Sequence, residues 1–193
     1  MNEQLPIILF LIPFATAICM PMIGHAKRNW CEPIALAAIV AMGFTAIANL
    51  FLVLKHGETR YGFGGWSIST VLPEFPLGIE WVNDPLASVM IVTLCGVAAL
   101  CMLFGRSQLA TQLGSRSVLY YTLVLVLISS LAGIIFAGDI FNVFVFFEVA
   151  ALCAYALVGV SGGRALVAAF RYLILGTLGS SFYLLGVVFF YAA

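Results

Sequence analysis

Ile140-Phe141-Asn142-Val143-Phe144-Val145-Phe146-Phe147-Glu148-Val149-Ala150-Ala151-Leu152-Cys153-Ala154-Tyr155 places one acid, Glu148, inside an apolar run that reads as part of a bilayer-crossing helix. From Ser117 to Gly163 the charged residues are Asp139 and Glu148 alone, and no other charge lies within eight residues of Glu148. Asp139 follows Gly138 at an expected helix start, and Glu148 lies further in by about 13 Å of helical rise. A carboxylate at that depth costs roughly 2.5–3.5 kcal/mol on insertion scales, so it normally faces a bundle interior or a water-filled cavity. Proton or ion handling is the implied role. The plainer alternative is an acid tied permanently to one basic or hydroxyl partner, holding two helices together.

The composition around this run excludes a soluble domain. Hydrophobic residues make up 64% of the 193 and charged residues 8%, against about 25% charged in soluble domains. Equal numbers of acidic and basic residues leave no electrostatic footprint for nucleic acid. Cys19, Cys31, Cys95, Cys101 and Cys153 are scattered, with no CxxC or Cys/His cluster, and read as small buried hydrophobes. His25 and His56 fall in expected loops without a second ligand at metal spacing. No glycine-rich phosphate loop, zinc pair or iron–sulfur cysteine set is present, so neither a cofactor nor a catalytic centre is expected within this chain.

Apolar runs of bilayer length divide the chain into six expected helices within one membrane domain, residues 1–193. They are Leu5–Ile23, Pro33–Leu54, Pro85–Phe104, Ser117–Ala137, Ile140–Val158 and Ala165–Tyr191. Pro13 and Pro21 are expected to kink or shorten the first. Glu3, and no base, precedes that first run, which argues against a cleavable signal. The fold class is thus an all-α polytopic membrane protein. Lys27, Arg28, Arg106, Arg116 and Arg164 fall in connections one, three and five, against Lys55 and Arg60 in connections two and four. Basic residues favour the cytoplasmic side, which puts both termini outside a cell inner or plasma membrane.

Residues 55–84, the second connection, are punctuated by Gly62, Gly64, Gly65, Pro73 and Pro76 and contain two β-prone stretches. Trp66-Ser67-Ile68-Ser69 and Leu77-Gly78-Ile79-Glu80-Trp81 are expected to form an extracytoplasmic β-hairpin, with Trp66 and Trp81 anchored at headgroup depth. An irregular surface loop is the alternative.

Other residues could serve Glu148. Helical spacing brings Phe141, Phe144, Ala151, Leu152 and Tyr155 onto or near its face. Arg171 lies about 9 Å into the sixth span, where it either snorkels back to the interface or reaches toward Glu148 to tune it electrostatically. Asp139 reads first as the cap of the fifth span and second as a proton acceptor near the surface, with Asn142 one turn in beside it. Gly176, Thr177, Gly179, Ser180, Ser181 and Gly186 in the sixth span favour close helix packing, with a water-lined path as the sharper alternative.

The run Ala137-Gly138-Asp139-Ile140-Phe141-Asn142-Val143-Phe144-Val145-Phe146-Phe147-Glu148, followed by Tyr155-Ala156-Leu157-Val158, resembles the antiporter-like subunits of Mrp-type cation/proton antiporters, complex I and membrane-bound hydrogenases. Gly64-Gly65-Trp66, Gly78-Ile79-Glu80, Asn83-Asp84-Pro85-Leu86 and Ala169-Phe170-Arg171-Tyr172-Leu173-Ile174-Leu175-Gly176 extend the likeness, which is nearest to the Mrp D-type and hydrogenase-associated members. The resemblance implies that Glu148 matches the family's fifth-helix glutamate, central to proton transfer, and that Arg171 stands where members commonly have a lysine. It further implies a partner lysine on a seventh helix, beyond the six spans found here.

The expected partners are therefore other membrane subunits, including a chain that supplies the later helices, together with protons, sodium ions as an alternative cargo, and the lipid bilayer. The expected function is proton translocation, or sodium/proton exchange, by an antiporter-like subunit of an Mrp-type, complex I-like or hydrogenase complex. A non-conducting structural or assembly subunit derived from the same family is the competing expectation. As part of a larger redox-driven assembly the chain would still carry no reaction centre of its own.

Overall fold

The computed structural model describes residues 4–62 and 79–192. Among them, six helices are long and apolar enough to cross a membrane. They are α1 (Leu5–Ala26), α2 (Cys31–His56), α3 (Pro85–Gln112), α4 (Ser117–Phe136), α5 (Ile140–Gly159) and α6 (Arg164–Ala192). Two strands, β1 (Thr59–Gly62) and β2 (Glu80–Asn83), form a short antiparallel sheet between α2 and α3. The chain is an all-α membrane protein with a small two-stranded sheet.

Buried positions recur at helical spacing. α1 buries Leu9, Pro13, Ala17 and Met20, α2 buries Ala35, Ile39, Met42 and Ala46, and α4 buries Tyr121, Leu125, Ile128, Ala132 and Phe136. These stripes meet in one core. α1 packs on both α2 and α4, α2 packs on α3, and α5 adds to the outer side of α4. α6 packs chiefly on α5 and leaves Leu175, Phe182 and Phe189 exposed. Pro13 and Pro21 do not end α1, which runs unbroken to Ala26; packing against neighbouring helices tolerates such prolines in lipid.

The sheet departs from expectation in its register. Trp66-Ser67-Ile68-Ser69 lies outside the described residues. The second strand falls at Glu80–Asn83, and its partner is Thr59–Gly62, paired Thr59 to Asn83 and Tyr61 to Trp81. This register turns Trp81 and Asn83 inward while Glu80 and Val82 remain half-buried. Trp81 is consequently no headgroup anchor. It is 2% exposed and lies among Phe10, Phe136 and Phe146, with ring centroids 5.5, 6.1 and 5.9 Å away.

Asn83 brings a polar knot into the same region. Its side-chain nitrogen donates to Asn49 Oδ1 at 2.9 Å, and Asn49 returns the bond to Asn83 Oδ1 at 3.0 Å. The hydroxyl of Ser88 donates to Asn83 Oδ1 at 3.1 Å, and Asn83 also reaches Thr59 Oγ1 at 3.3 Å. Asp84 accepts from the amide of Ala87 at 2.6 Å and caps α3 just before Pro85. Four elements, α2, β1, β2 and α3, are thereby joined through buried amides and hydroxyls.

Removing one member of this knot leaves buried partners unpaired, which costs about 1–3 kcal/mol. Asn83→Ala is expected to lower the thermal midpoint of the purified protein. In a double-mutant cycle, Asn49→Ala combined with Asn83→Ala should cost clearly less than the two single changes added together. Strict additivity would show that the amide pair contributes nothing.

Candidate functional site

The head of α5 is fixed from three directions. The amide of Gly138 donates to Glu80 O at 2.9 Å, and Ala137 forms a β-bridge with Trp81. Asp139 Oδ1 accepts the Asn142 amide at 2.6 Å, the capping bond that the Gly-Asp turn implied. Below this, Phe146 sits so close to α4 that a methyl group at Gly133 would run into its ring. Phe146 also lies 5.6 Å from Phe10 of α1. The small sheet and the aromatic cluster together set the rotation of α5 about its own axis.

That rotation gives α5 two working faces. Asn142, Phe146, Ala150 and Cys153 follow one another at helical spacing, with Phe146 turned to α1 and α4. Phe144, Glu148, Ala151 and Tyr155 share the other face, toward α6. Phe144 stacks on Tyr183 at 5.9 Å, and Tyr155 meets Tyr172 edge-on at 4.6 Å. The hydroxyl of Tyr183 donates to Ile140 O at 3.3 Å.

Glu148 is half-buried on the α6 side. Among the described residues it has neither an ion pair nor a hydrogen bond. Interpolating between the Phe144–Tyr183 and Tyr155–Gly176 contacts, Ser180 lies nearly level with Glu148. Ser180 is 7% exposed and donates to Thr177 O at 3.1 Å.

The structure separates the sequence-derived candidates. Tyr155 shares Glu148's face, two turns away. Arg171 is exposed and lies beside Tyr172, at the level of Tyr155 rather than of Glu148, an axial offset of about 10 Å. The two charges do not pair. Asn142 is 3% exposed and sits about 120° around α5 from Glu148, and Asp139 sits about 180° around. Asp139 Oδ2 and Asn142 Nδ2 are both buried without a hydrogen-bond partner.

A cavity of about 560 Å³ opens between α4, α5 and α6. Phe147, Ala151, Tyr155, Gly176, Ser180 and Tyr183 are among its walls. Glu148 is not among the wall residues, but Phe147 adjoins it in sequence, and Ala151 and Tyr155 follow it on its own face. Ser180 and Gly176 are visible in sequence as small residues of a packing face. Tyr172 and Tyr183 carried no signal of their own, because an aromatic in an apolar helix is indistinguishable from a lipid-facing one until its neighbours are known.

Six apolar helices, a small sheet clamped onto their ends and one unpartnered acid in mid-helix define a polytopic membrane protein of the antiporter-like fold. Residues 137–193 match the family described as NADH:quinone oxidoreductase/Mrp antiporter, transmembrane. NADH-quinone oxidoreductase subunit N of Desulforudis audaxviator is 35% identical over 193 residues, covering 100% of this chain and 37% of that protein. A chain of the membrane-bound sulfane sulfur reductase, an archaeal respiratory membrane complex, superposes with a TM-score of 0.85 at 29% identity, over 98% of this chain and 37% of that one. A chain of the Mrp complex from Dietzia sp. DQ12-45-1b shares the fold, with a TM-score of 0.78 at 19% identity, over 99% of this chain and 34% of that one. Along its whole length this chain is similar to antiporter-like subunits of NADH:quinone oxidoreductase and Mrp-type complexes, with the family match itself at residues 137–193, and it spans about a third of the length of the relatives it matches.

Asp139→Ala removes the cap of α5 and is expected to cost about 0.5–2 kcal/mol. Asp139→Asn keeps an oxygen for the Asn142 amide and should recover most of that loss. Thermal unfolding of the two purified variants measures the difference; equal losses would mean that the carboxylate charge, rather than the capping bond, matters at this position.

Proposed function

We propose that this chain serves as an antiporter-like membrane subunit that contributes to proton translocation in a multisubunit Mrp-type or complex I-like assembly, with Glu148 as its intramembrane proton site. The observation that carries this reading is the solitude of Glu148. The hydroxyls of Thr16, Thr45, Thr93, Thr122, Ser129, Ser130, Thr177, Ser180 and Ser181 each donate to a carbonyl of their own helix. Asn49 and Asn83 satisfy one another. Glu148 alone carries an ionisable carboxyl deep in a span with no partner supplied by the described residues.

Such a group is suited to exchanging a proton. Dry surroundings favour the neutral acid, and an approaching cation or water favours the carboxylate. A partner that moves, or that belongs to another helix of the assembly, can therefore load and unload it. The exposed apolar residues of α6 provide a surface against which further membrane helices of the assembly would pack. Arg171 would then act as a fixed positive charge two turns from the acid rather than as a carrier, because a guanidinium does not readily release its proton. Sodium/proton exchange is the variant of this reading in which the proton is coupled to a second cation.

The connections support an orientation with both termini outside the plasma membrane. Lys27, Arg28, Arg116 and Arg164 cluster at one end of the helices, while the sheet end carries Glu58, Arg60 and Glu80, with Arg60 3.6 Å from Glu80.

The test is Glu148→Gln in the complete assembly, reconstituted into vesicles. The substitution keeps shape and removes the titrating proton. Coupled proton movement is expected to fall by roughly tenfold or more at unchanged assembly. Wild-type transport in that variant removes Glu148 from the route. Lowered complex abundance at unchanged turnover per complex would establish the structural role instead.

A further inference from the structure

We propose that a pocket at the turn between α1 and α2 binds the headgroup of a zwitterionic phospholipid with a free ammonium, Arg28 taking the phosphate and Glu32 the ammonium. The proposal goes beyond the reading of Glu148 and does not depend on it.

The pocket is small, about 90 Å³, and is lined by Arg28, Asn29, Glu32, Ser117 and Tyr121. Arg28 and Asn29 belong to the single turn Arg28–Trp30, Glu32 to the first turn of α2, and Ser117 is the first residue of α4. Arg28 and Asn29 form an exposed rim. Ser117 and Tyr121, 8% and 4% exposed, form the floor.

Opposite charges four residues apart along a helical path commonly close on each other. Here they do not. Among the described residues Arg28 forms no ion pair, although Glu32 lines the same pocket. The buried hydroxyl of Ser117 makes no hydrogen bond among them either, and no side chain caps the start of α4. A guanidinium, a hydroxyl and the positive end of a helix therefore share the pocket with one carboxylate. A free anion that gains Arg28 is repelled by Glu32, and a metal cation that gains Glu32 is repelled by Arg28. An anion joined to a cation by a short linker satisfies both.

The position of the pocket selects a lipid as the source of that pair. Trp30 adjoins it in sequence and is 56% exposed, with the Lys27 ammonium 6.0 Å from its ring centroid. An exposed tryptophan beside basic residues, at the junction of two spans, marks headgroup depth. Exposed Met22 and Ile18 lead down α1 from this turn and offer an acyl chain an apolar surface. The phosphate of phosphatidylethanolamine suits Arg28, Ser117 and the head of α4. Its ammonium brings three N–H donors to Glu32, whose carboxylate has acceptor sites for them beside any partner it already holds. Phosphatidylcholine replaces those donors with methyl groups, and phosphatidylglycerol has no cation at all.

The test is native mass spectrometry of the complete assembly, released from nanodiscs that hold these three lipids in equal amounts. The unaltered protein is expected to retain one phosphatidylethanolamine more than the Arg28→Gln variant. At this site it should prefer that lipid over phosphatidylcholine roughly tenfold, the effect of one charge-assisted hydrogen bond. Glu32→Gln should turn the preference toward phosphatidylglycerol, because the acceptor for the ammonium and the charge that repels an anion are lost together. If Glu32→Gln fails to assemble, Arg28→Gln, on the exposed rim, decides alone. Equal lipid retention by the unaltered protein and Arg28→Gln overturns the proposal. So does a site that prefers phosphatidylcholine or phosphatidylglycerol in the unaltered protein, or one that soluble phosphoethanolamine empties at equal concentration. These readouts count lipids rather than protons. Failure here leaves the role of Glu148 untouched, and wild-type flux in Glu148→Gln leaves the lipid site standing.

Discussion

Within the hydrocarbon layer a hydroxyl, amide or carboxyl has no water to turn to, so each must find its partner inside the protein. This chain meets that constraint in three ways. Serines and threonines fold back onto carbonyls three or four residues earlier in their own helices. The amides of Asn49 and Asn83 close on each other beneath the small sheet. Asp84 and Asp139 cap the helices that follow them. Asn142 Nδ2 and Asp139 Oδ2 are left without a partner near the head of α5, but Glu148 is the one carboxyl deep in a span that follows none of these patterns, and the functional account grows from it.

The sheet matters to this account although it lies far along the chain from Glu148. It presents Trp81 to Phe10, Phe136 and Phe146, and it takes the Gly138 amide onto Glu80. Phe146, pressed into the space at Gly133, turns one side of α5 toward α1 and α4. The opposite side, with Phe144, Glu148 and Tyr155, is then obliged to face α6. A local choice of strand register, Trp81 inward rather than outward, thus determines which way an acid two turns further along is aimed.

The six helices were legible because apolar length alone decides them, and the Asp139 cap was legible because glycine followed by aspartate before an apolar run has one economical conformation. Strand pairing was not. Thr59-Arg60-Tyr61-Gly62 is short and charged, and nothing local to it reports that Asn83 will need Thr59 and Asn49 for its amide. Trp81 was misplaced for a related reason. A tryptophan beside acidic residues near a span looks like an interfacial anchor until three phenylalanines from distant helices converge on it. Tyr155 was visible as a same-face neighbour, but the notch at Gly176 that holds its hydroxyl depends on how α6 crosses, which one helix cannot disclose.

The central claim is that Glu148 exchanges a proton within the membrane. Infrared difference spectroscopy on the complete assembly, recorded as an imposed pH gradient is reversed, observes this directly. The account predicts a carboxylic-acid C=O band that appears and disappears with the direction of the gradient and that is missing when residue 148 is glutamine. A carboxyl band that stays constant through the reversal, or a changing band that survives that substitution, would contradict it.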